Sequence, residues 1–228
     1  MKSTPLSPLS SEAGSVHPKT VAIVVAHPDD ETLWVGGTLL AHPEWDSFVV
    51  CLCRKSDAER SAKFYHAMKD LASYGIMGDL DDGPHQHPLK ESELESTILK
   101  LLPPRHYDLV LTHDLSGEYT RHLRHEEVSK AVIRLWQSGK IDASELWTFA
   151  YEDGLKAYYP RAIEKAPFCQ LLADDIWNKK YQIITKTYGF ATDSWEAQTT
   201  PRSEAFWQFG NHTQAKDWLA HFDKNPKK

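Results

Sequence analysis

Three cysteines in 228 residues, Cys51, Cys53 and Cys169, are too few for a disulfide framework. Two of them stand in FVVCLC, where a strand turns both to one face and buries them as small apolar fillers. No apolar run approaches the ~20 residues that a membrane span requires. The opening stretch, MKSTPLSPLSSEAGSVHPK, has no apolar centre of the kind a secretory signal carries. These absences make a cytoplasmic location the expectation. Positive charge is also in deficit: 26 Lys+Arg against 32 Asp+Glu give a net charge of -6. That balance favours solubility and offers nothing to a nucleic-acid backbone or an anionic membrane.

What the chain does have is aromatic and apolar material for a core. It carries 8 Trp, 9 Tyr and 8 Phe, and 41% of its residues are hydrophobic. The length suits one domain. Residues 1–18, rich in Ser and Pro, and 223–228 read as flexible tails around a single domain over 19–222. Strand patterns occur at 20–27, 47–53, 107–113 and 145–152, with a short one in GIMGDLDDG. Helical patterns lie between them at 31–42, 58–74 (with Gly75 as a stop), 89–102 and 122–139. Strands alternating with helices predict an α/β fold, Rossmann-like, whose mainly parallel sheet is covered by helices on both faces. The last third departs from the alternation, and 171–189 and 203–222 read as extra C-terminal helices.

Open α/β sheets bind ligands at the carboxyl ends of their strands. Two such ends carry polar clusters: AHPDDE (Ala26–Glu31) after TVAIVV, and THDLSGEYTRHLRHEE (Thr112–Glu127) after YDLVL. In the first, a turn through Pro28 lets His27 and Asp30 converge on one point. A histidine nitrogen and a carboxylate oxygen suit zinc. Asp29 lies beside that point, where a general base for an acidified water belongs. Acidic residues at a helix start are also ordinary caps, the competing explanation for Asp29 and Asp30. In the second cluster His122 and His125 are i and i+3 on a helix and share a face. One can complete a metal site while the other points to a substrate oxygen; a solvated helix face is the simpler alternative. His113, at the strand terminus, is a weaker candidate. A nucleotide-binding domain is disfavoured, because HPDDE stands where a glycine-rich phosphate loop would be.

AHPDDE followed by a distant GEY…HxxH resembles the LmbE-like (PIG-L) family of zinc-dependent N-deacetylases, over residues 20–155. The resemblance implies Zn2+ held by His27, Asp30 and His125, with Asp29 as general base and a protonated His122 stabilising the oxyanion. It also implies a hydrolase releasing acetate from an N-acetylglucosamine-type substrate. Two departures stand out. Thr120 and Arg121 both separate Tyr119 from His122, where the family commonly has one residue, and Arg124 occupies the place of the acid that orients the first histidine. Glu118 is the expected replacement acid and a substrate contact. Arg60, with Lys63 as the alternative, matches the family's substrate-binding cation.

Trp147, Tyr151, Tyr158, Tyr159, Trp177, Tyr188, Trp195 and Trp207 are core or sugar-stacking candidates, with Trp195 the first choice for stacking. Glu152 and Asp153 either contact substrate hydroxyls or are simply solvated. The expected partner is a small molecule, an N-acetylated amino sugar, with room for a homo-oligomer. Two alternatives are an amidohydrolase on a non-sugar N-acyl group and an inactive zinc-containing binding protein.

Overall fold

The computed structural model describes residues 17–85 and 87–224. The expected tails therefore fall outside the described residues, apart from 17–18 and the helix end at 223–224. Five parallel strands form the body of the sheet: β1 (Thr20–Val25), β2 (Asp46–Cys53), β3 (Tyr74–Leu80), β4 (Tyr107–Thr112) and β5 (Ala143–Phe149). They are linked through α1 (Asp30–Ala41), α2 (Ala58–Asp70), α3 (Glu91–Leu101) and α4 (Leu123–Gln137). The order is β3-β2-β1-β4-β5. The chain thus leaves β1 to one side through β2 and returns to its other side through β4. That reversal opens a crevice at the carboxyl ends of β1 and β4. The β-branched run TVAIVV is buried from Val21 onward, as a central strand covered on both faces must be.

Beyond β5 come a two-strand ribbon, β6 (Tyr151–Glu152) with β7 (Arg161–Ala162), then β8 (Phe168–Leu171) and α5 (Asp174–Gln182). Helix α5 continues as a π-helix over Ile183–Thr187. It is followed by α6 (Trp195–Thr199), β9 (Ser203–Phe209) and α7 (His212–Lys224). Strand β9 pairs antiparallel with β5, and β8 with β9, extending the sheet to seven strands. Apolar side chains of α3, α4 and α7 cover one face, and those of α1, α2 and the π-helix cover the other. Among the described residues no helix is long and apolar enough to cross a membrane.

Three local expectations are corrected. The helix expected over 203–222 begins as a strand: β9 presents Phe206 and Phe209 to the core, and aromatic residues suit a pleated surface with partners on both sides. The helix expected over 171–189 gives its first residue to β8 and its last turns to the π-helix. Helix α2 ends at Asp70, before Gly75, which lies inside β3. A Cβ on Gly75 would stand 2.9 Å from both Phe64 Cζ and Met68 Sδ, so its role is close packing of helix on strand.

The C-terminal third grips α1 through a buried ion pair. Lys180 Nζ lies 2.7 Å from Glu204 Oε1, and both side chains are fully buried. The same carboxylate accepts the backbone N–H groups of Gly37 and Thr38, each at 2.7 Å, and the Thr38 hydroxyl at 2.6 Å. A Cβ at Gly37 would stand 2.3 Å from Leu172 Cδ1 and 2.9 Å from Glu204 Oε1, so this approach requires glycine. Removing one partner of such a pair strands the other charge in the interior. Glu204→Ala is therefore expected to lower the unfolding free energy by about 3–5 kcal/mol. Urea denaturation checks this, and an unchanged midpoint would show that Lys180 finds another partner.

Candidate active site

The two polar clusters meet in the crevice. β1 ends at Val25, and Ala26–Asp29 form the turn into α1, whose first residue is Asp30. β4 ends at Thr112, directly before His113; His122 is the N-cap of α4, and His125 lies in its first turn. His27 Nδ1 and His125 Nε2 are 3.1 Å apart, and each is 3.3 Å from Asp30 Oδ2. A tetrahedral ion bound at about 2.0–2.1 Å by N and O ligands holds those ligands about 3.3–3.4 Å apart. The three donors fit such an ion.

The far side of each donor residue is also engaged. His27 Nε2 is 3.0 Å from Asp82 Oδ1, and His125 Nδ1 is 2.6 Å from Glu118 Oε2. Trp34 Nε1 donates to Asp30 Oδ1 at 3.0 Å. Carboxylates behind imidazoles fix ring orientation and raise ligand basicity. Burial alone would lower the His125 pKa, yet Asp30 and Glu118 raise it to about 10. Burial likewise opposes ionisation of Asp30, but His125 and His113 hold it well below the usual carboxylate range.

His113 takes a supporting place. Its Nε2 accepts the Ala26 N–H at 3.0 Å, which engages the lone pair a metal would need. Its Nδ1 is 3.0 Å from Glu118 Oε2, and its ring stacks on His125 with centroids 3.9 Å apart. Ligand atoms of Asp30, His113 and His125 lie within 4.8 Å of one another, as do those of His27, His122 and His125.

Glu118 is not brought to His122 or to the cavity. Its side chain is fully buried beneath the site, engaged by His113, His125 and the Asp114 backbone N–H. Burial would raise its pKa, and the two imidazoles hold it down at about 2.

His122 does line the cavity, with its ring 4.1 Å from that of His125 and 4.8 Å from that of His27. Its Nδ1 is buried without a hydrogen-bond partner. Burial, reinforced by His125 and His27, lowers its pKa to about 3. Arg124 takes no part in this. Its buried guanidinium turns away to Glu127 and to the His87 carbonyl, holding the loop after β3 against α4.

Asp29 lies on the cavity wall with Arg60 Nη1 3.4 Å from its carboxylate. Burial and the Asp30 charge push its pKa well above the usual range, and Arg60 acts in the opposite direction. Arg60 lines the cavity; Lys63 instead pairs with Glu59 and does not. The cavity, about 300 Å3, is closed on one side by Trp195, which packs edge-on against Tyr119 at 4.9 Å.

Of the other aromatic candidates, Tyr151 and Tyr188 are buried in the core, while Trp147, Trp177 and Trp207 pack against other rings. Tyr158 and Tyr159 line a neighbouring cavity. Asp153 accepts from Thr120, and Glu152 from Tyr158. Asp82 was not anticipated. Its signal was its position, since DDG directly follows β3 at the same edge of the sheet as the two clusters.

Residues 22–136 match the sequence profile of the family described as PIG-L, GlcNAc-PI de-N-acetylase. The uncharacterized protein L374 of Acanthamoeba polyphaga mimivirus is 26% identical over 178 residues, 71% of this chain and 75% of that protein. Among solved structures, N,N'-diacetylchitobiose deacetylase from Pyrococcus horikoshii aligns with a TM-score of 0.65 at 17% identity, over 84% of each chain. The 4-carboxy-2-hydroxymuconate hydratase GalB from Pseudomonas putida KT2440 aligns with a TM-score of 0.58 at 17% identity, over 83% of this chain and 95% of that one. At such identities the structural likeness speaks for the fold.

Two outcomes follow for ion binding. Because the folded, metal-free site holds His125 protonated up to about pH 10, a divalent ion must displace a proton at pH 7–8. Calorimetry in buffers of different ionisation enthalpy should register release of about one proton per ion or more. Affinity for a divalent ion should also fall about 10–100-fold in Glu118→Gln, measured by competition with a chromophoric chelator. Equal affinity in that variant would remove Glu118 from the site.

Proposed function

The chain belongs to the PIG-L family of de-N-acetylases, and on that premise we propose that it is a zinc-dependent hydrolase removing the acetyl group from an N-acetylglucosamine-type amino sugar. The observation that carries this reading is the triangle of His27, Asp30 and His125 donors, of ion-binding dimensions, with Asp29 at its side. His27, Asp30 and His125 would hold the ion. When bound, it would supply a Lewis acid for the amide carbonyl and a more acidic water.

The chain's own residues account for the remaining chemistry. Asp29 takes the proton from the attacking water at its carboxylate, then passes it to the leaving amine. Its raised pKa suits a group that must both accept and return a proton. His122, neutral and aimed into the cavity, donates an N–H to the oxygen that gains charge as the carbonyl carbon becomes tetrahedral. Arg60 steadies the Asp29 carboxylate and offers its free donors to substrate oxygens. Trp195 supplies a ring on which an apolar sugar face can rest. The catalytic unit is taken as 19–222, because Trp195 comes from beyond the segment that carries the two motifs.

The test combines metal content with amine release from N-acetylglucosamine and its oligomers. The expected result is about one zinc per chain, loss of activity on chelation, and recovery on zinc return. Asp29→Ala should keep the zinc and lose about 10²–10⁴ in kcat. Loss of the metal together with the activity would make Asp29 a ligand instead of the base. Full activity after complete chelation would overturn the metal-dependent reading.

A further inference from the structure

Six non-glycine residues among those described have positive φ, and five of them lie between 49° and 69°, in the left-handed helical region. Asp29 lies elsewhere, at φ 131° and ψ -25°, a conformation that costs an L side chain energy and persists only where surroundings impose it. On its carbonyl side Asp29 accepts the Thr32 and Leu33 N–H groups at 3.0 and 2.8 Å, the first bonds of α1, while its side chain makes no cap.

On its N–H side the surroundings converge on Glu31. This side chain is fully buried. Its Oε2 accepts the Asp29 backbone N–H at 3.2 Å, and its Oε1 accepts the hydroxyls of Thr32 at 2.6 Å and Tyr188 at 2.7 Å. All three donors are neutral. A carboxylate buried among neutral donors is an expensive way to fill space, where a leucine would serve packing better. Tyr188 reaches it because the π-helix brings its backbone N–H to the Ile183 carbonyl at 2.9 Å, five residues back. π-Helical turns are rare and often mark functional positions. A strained turn, a buried carboxylate bonded to neutral donors and the end of a π-helix thus meet at the Glu31 side chain, which accepts the N–H of the proposed base.

We infer that Glu31 and Tyr188 are positioning residues, holding the backbone of Asp29 in its strained conformation so that its carboxylate faces the His27–Asp30–His125 triangle. The inference rests on Asp29 being the base. It extends the working site to Tyr188, which lies outside the 22–136 segment matched by the family profile.

The experiment introduces Glu31→Gln and Tyr188→Phe, each with Asp29 present and each in the Asp29→Ala background. With Asp29 present, kcat on the acetylated amino sugar should fall about 10–100-fold, as for a displaced catalytic group. KM and zinc content should stay within about twofold. In the Asp29→Ala background either change should alter kcat by less than about twofold, because its route of action is already gone. Crystal structures of the variants should show Asp29 leaving φ near 131°. Equal losses in both backgrounds would overturn the inference, as would an unchanged Asp29 backbone in both variants. If Asp29→Ala itself leaves kcat unchanged, the base assignment fails, and the Asp29 backbone still decides the positioning claim. Should Glu31→Gln not fold, Tyr188→Phe, which removes one oxygen, carries the test.

Discussion

The Asp30 carboxylate is the hub on which the site is built. Its Oδ2 accepts the His27 backbone N–H at 2.8 Å, lies 3.3 Å from ring nitrogens of His27 and His125, and lies 3.5 Å from His113. Its Oδ1 is held by the Trp34 indole. A carboxylate buried at this depth is tolerable only where opposite charge and donors surround it. The imidazoles therefore gather around it, each backed by a further acid. The result is an alternating array of acid, imidazole and acid that runs from Asp82 through His27, Asp30 and His125 to Glu118. Every member steadies its neighbours, and the three donors facing one another are left close enough to grip an ion.

The parallel sheet makes this array reachable. β1 and β4 are adjacent with Val24 paired to Thr112, so the turns after both strands open at the same level. Ala26 then donates its N–H to His113, tying one motif's backbone to the other motif's side chain. α4 brings His125 over the top, and the loop after β3 contributes Asp82 from the opposite side. That loop is itself fastened to α4, through Arg124 and through the Leu89 N–H on Glu127.

Much of this was legible in the sequence, for identifiable reasons. A β-branched run such as TVAIVV has few alternatives to a buried central strand, and the polar residues immediately after it have no packing role to explain them. The proximity of His27, Asp30 and His125 follows once those strands are placed side by side. Other features were not legible. Glu118 read as a partner of His122 because the two are close in sequence, but the start of α4 turns His125 toward it instead. Arg124 read as a disturbance at His122, yet the helix carries it to the opposite side. SEAFWQF passed for part of a helix because its strand character depends on β5 and β8, residues far away in sequence. The backbone of Asp29 was hidden in part for the same reason, since Tyr188, which bonds the Glu31 carboxylate behind it, comes from the end of the π-helix.

The Glu204–Gly37 contact bears on modularity. Helix α1 carries Asp30 and Glu31 at its N-terminal end, and its middle is held by a carboxylate from β9 that only a glycine backbone admits. Turn and anchor are thus parts of one lever whose pivot is supplied by the far end of the chain. HPDDE transplanted onto the first strand of another doubly wound sheet would keep its letters and lose that pivot. Recombination at the boundary after α4 would separate α1 from the carboxylate that holds its middle.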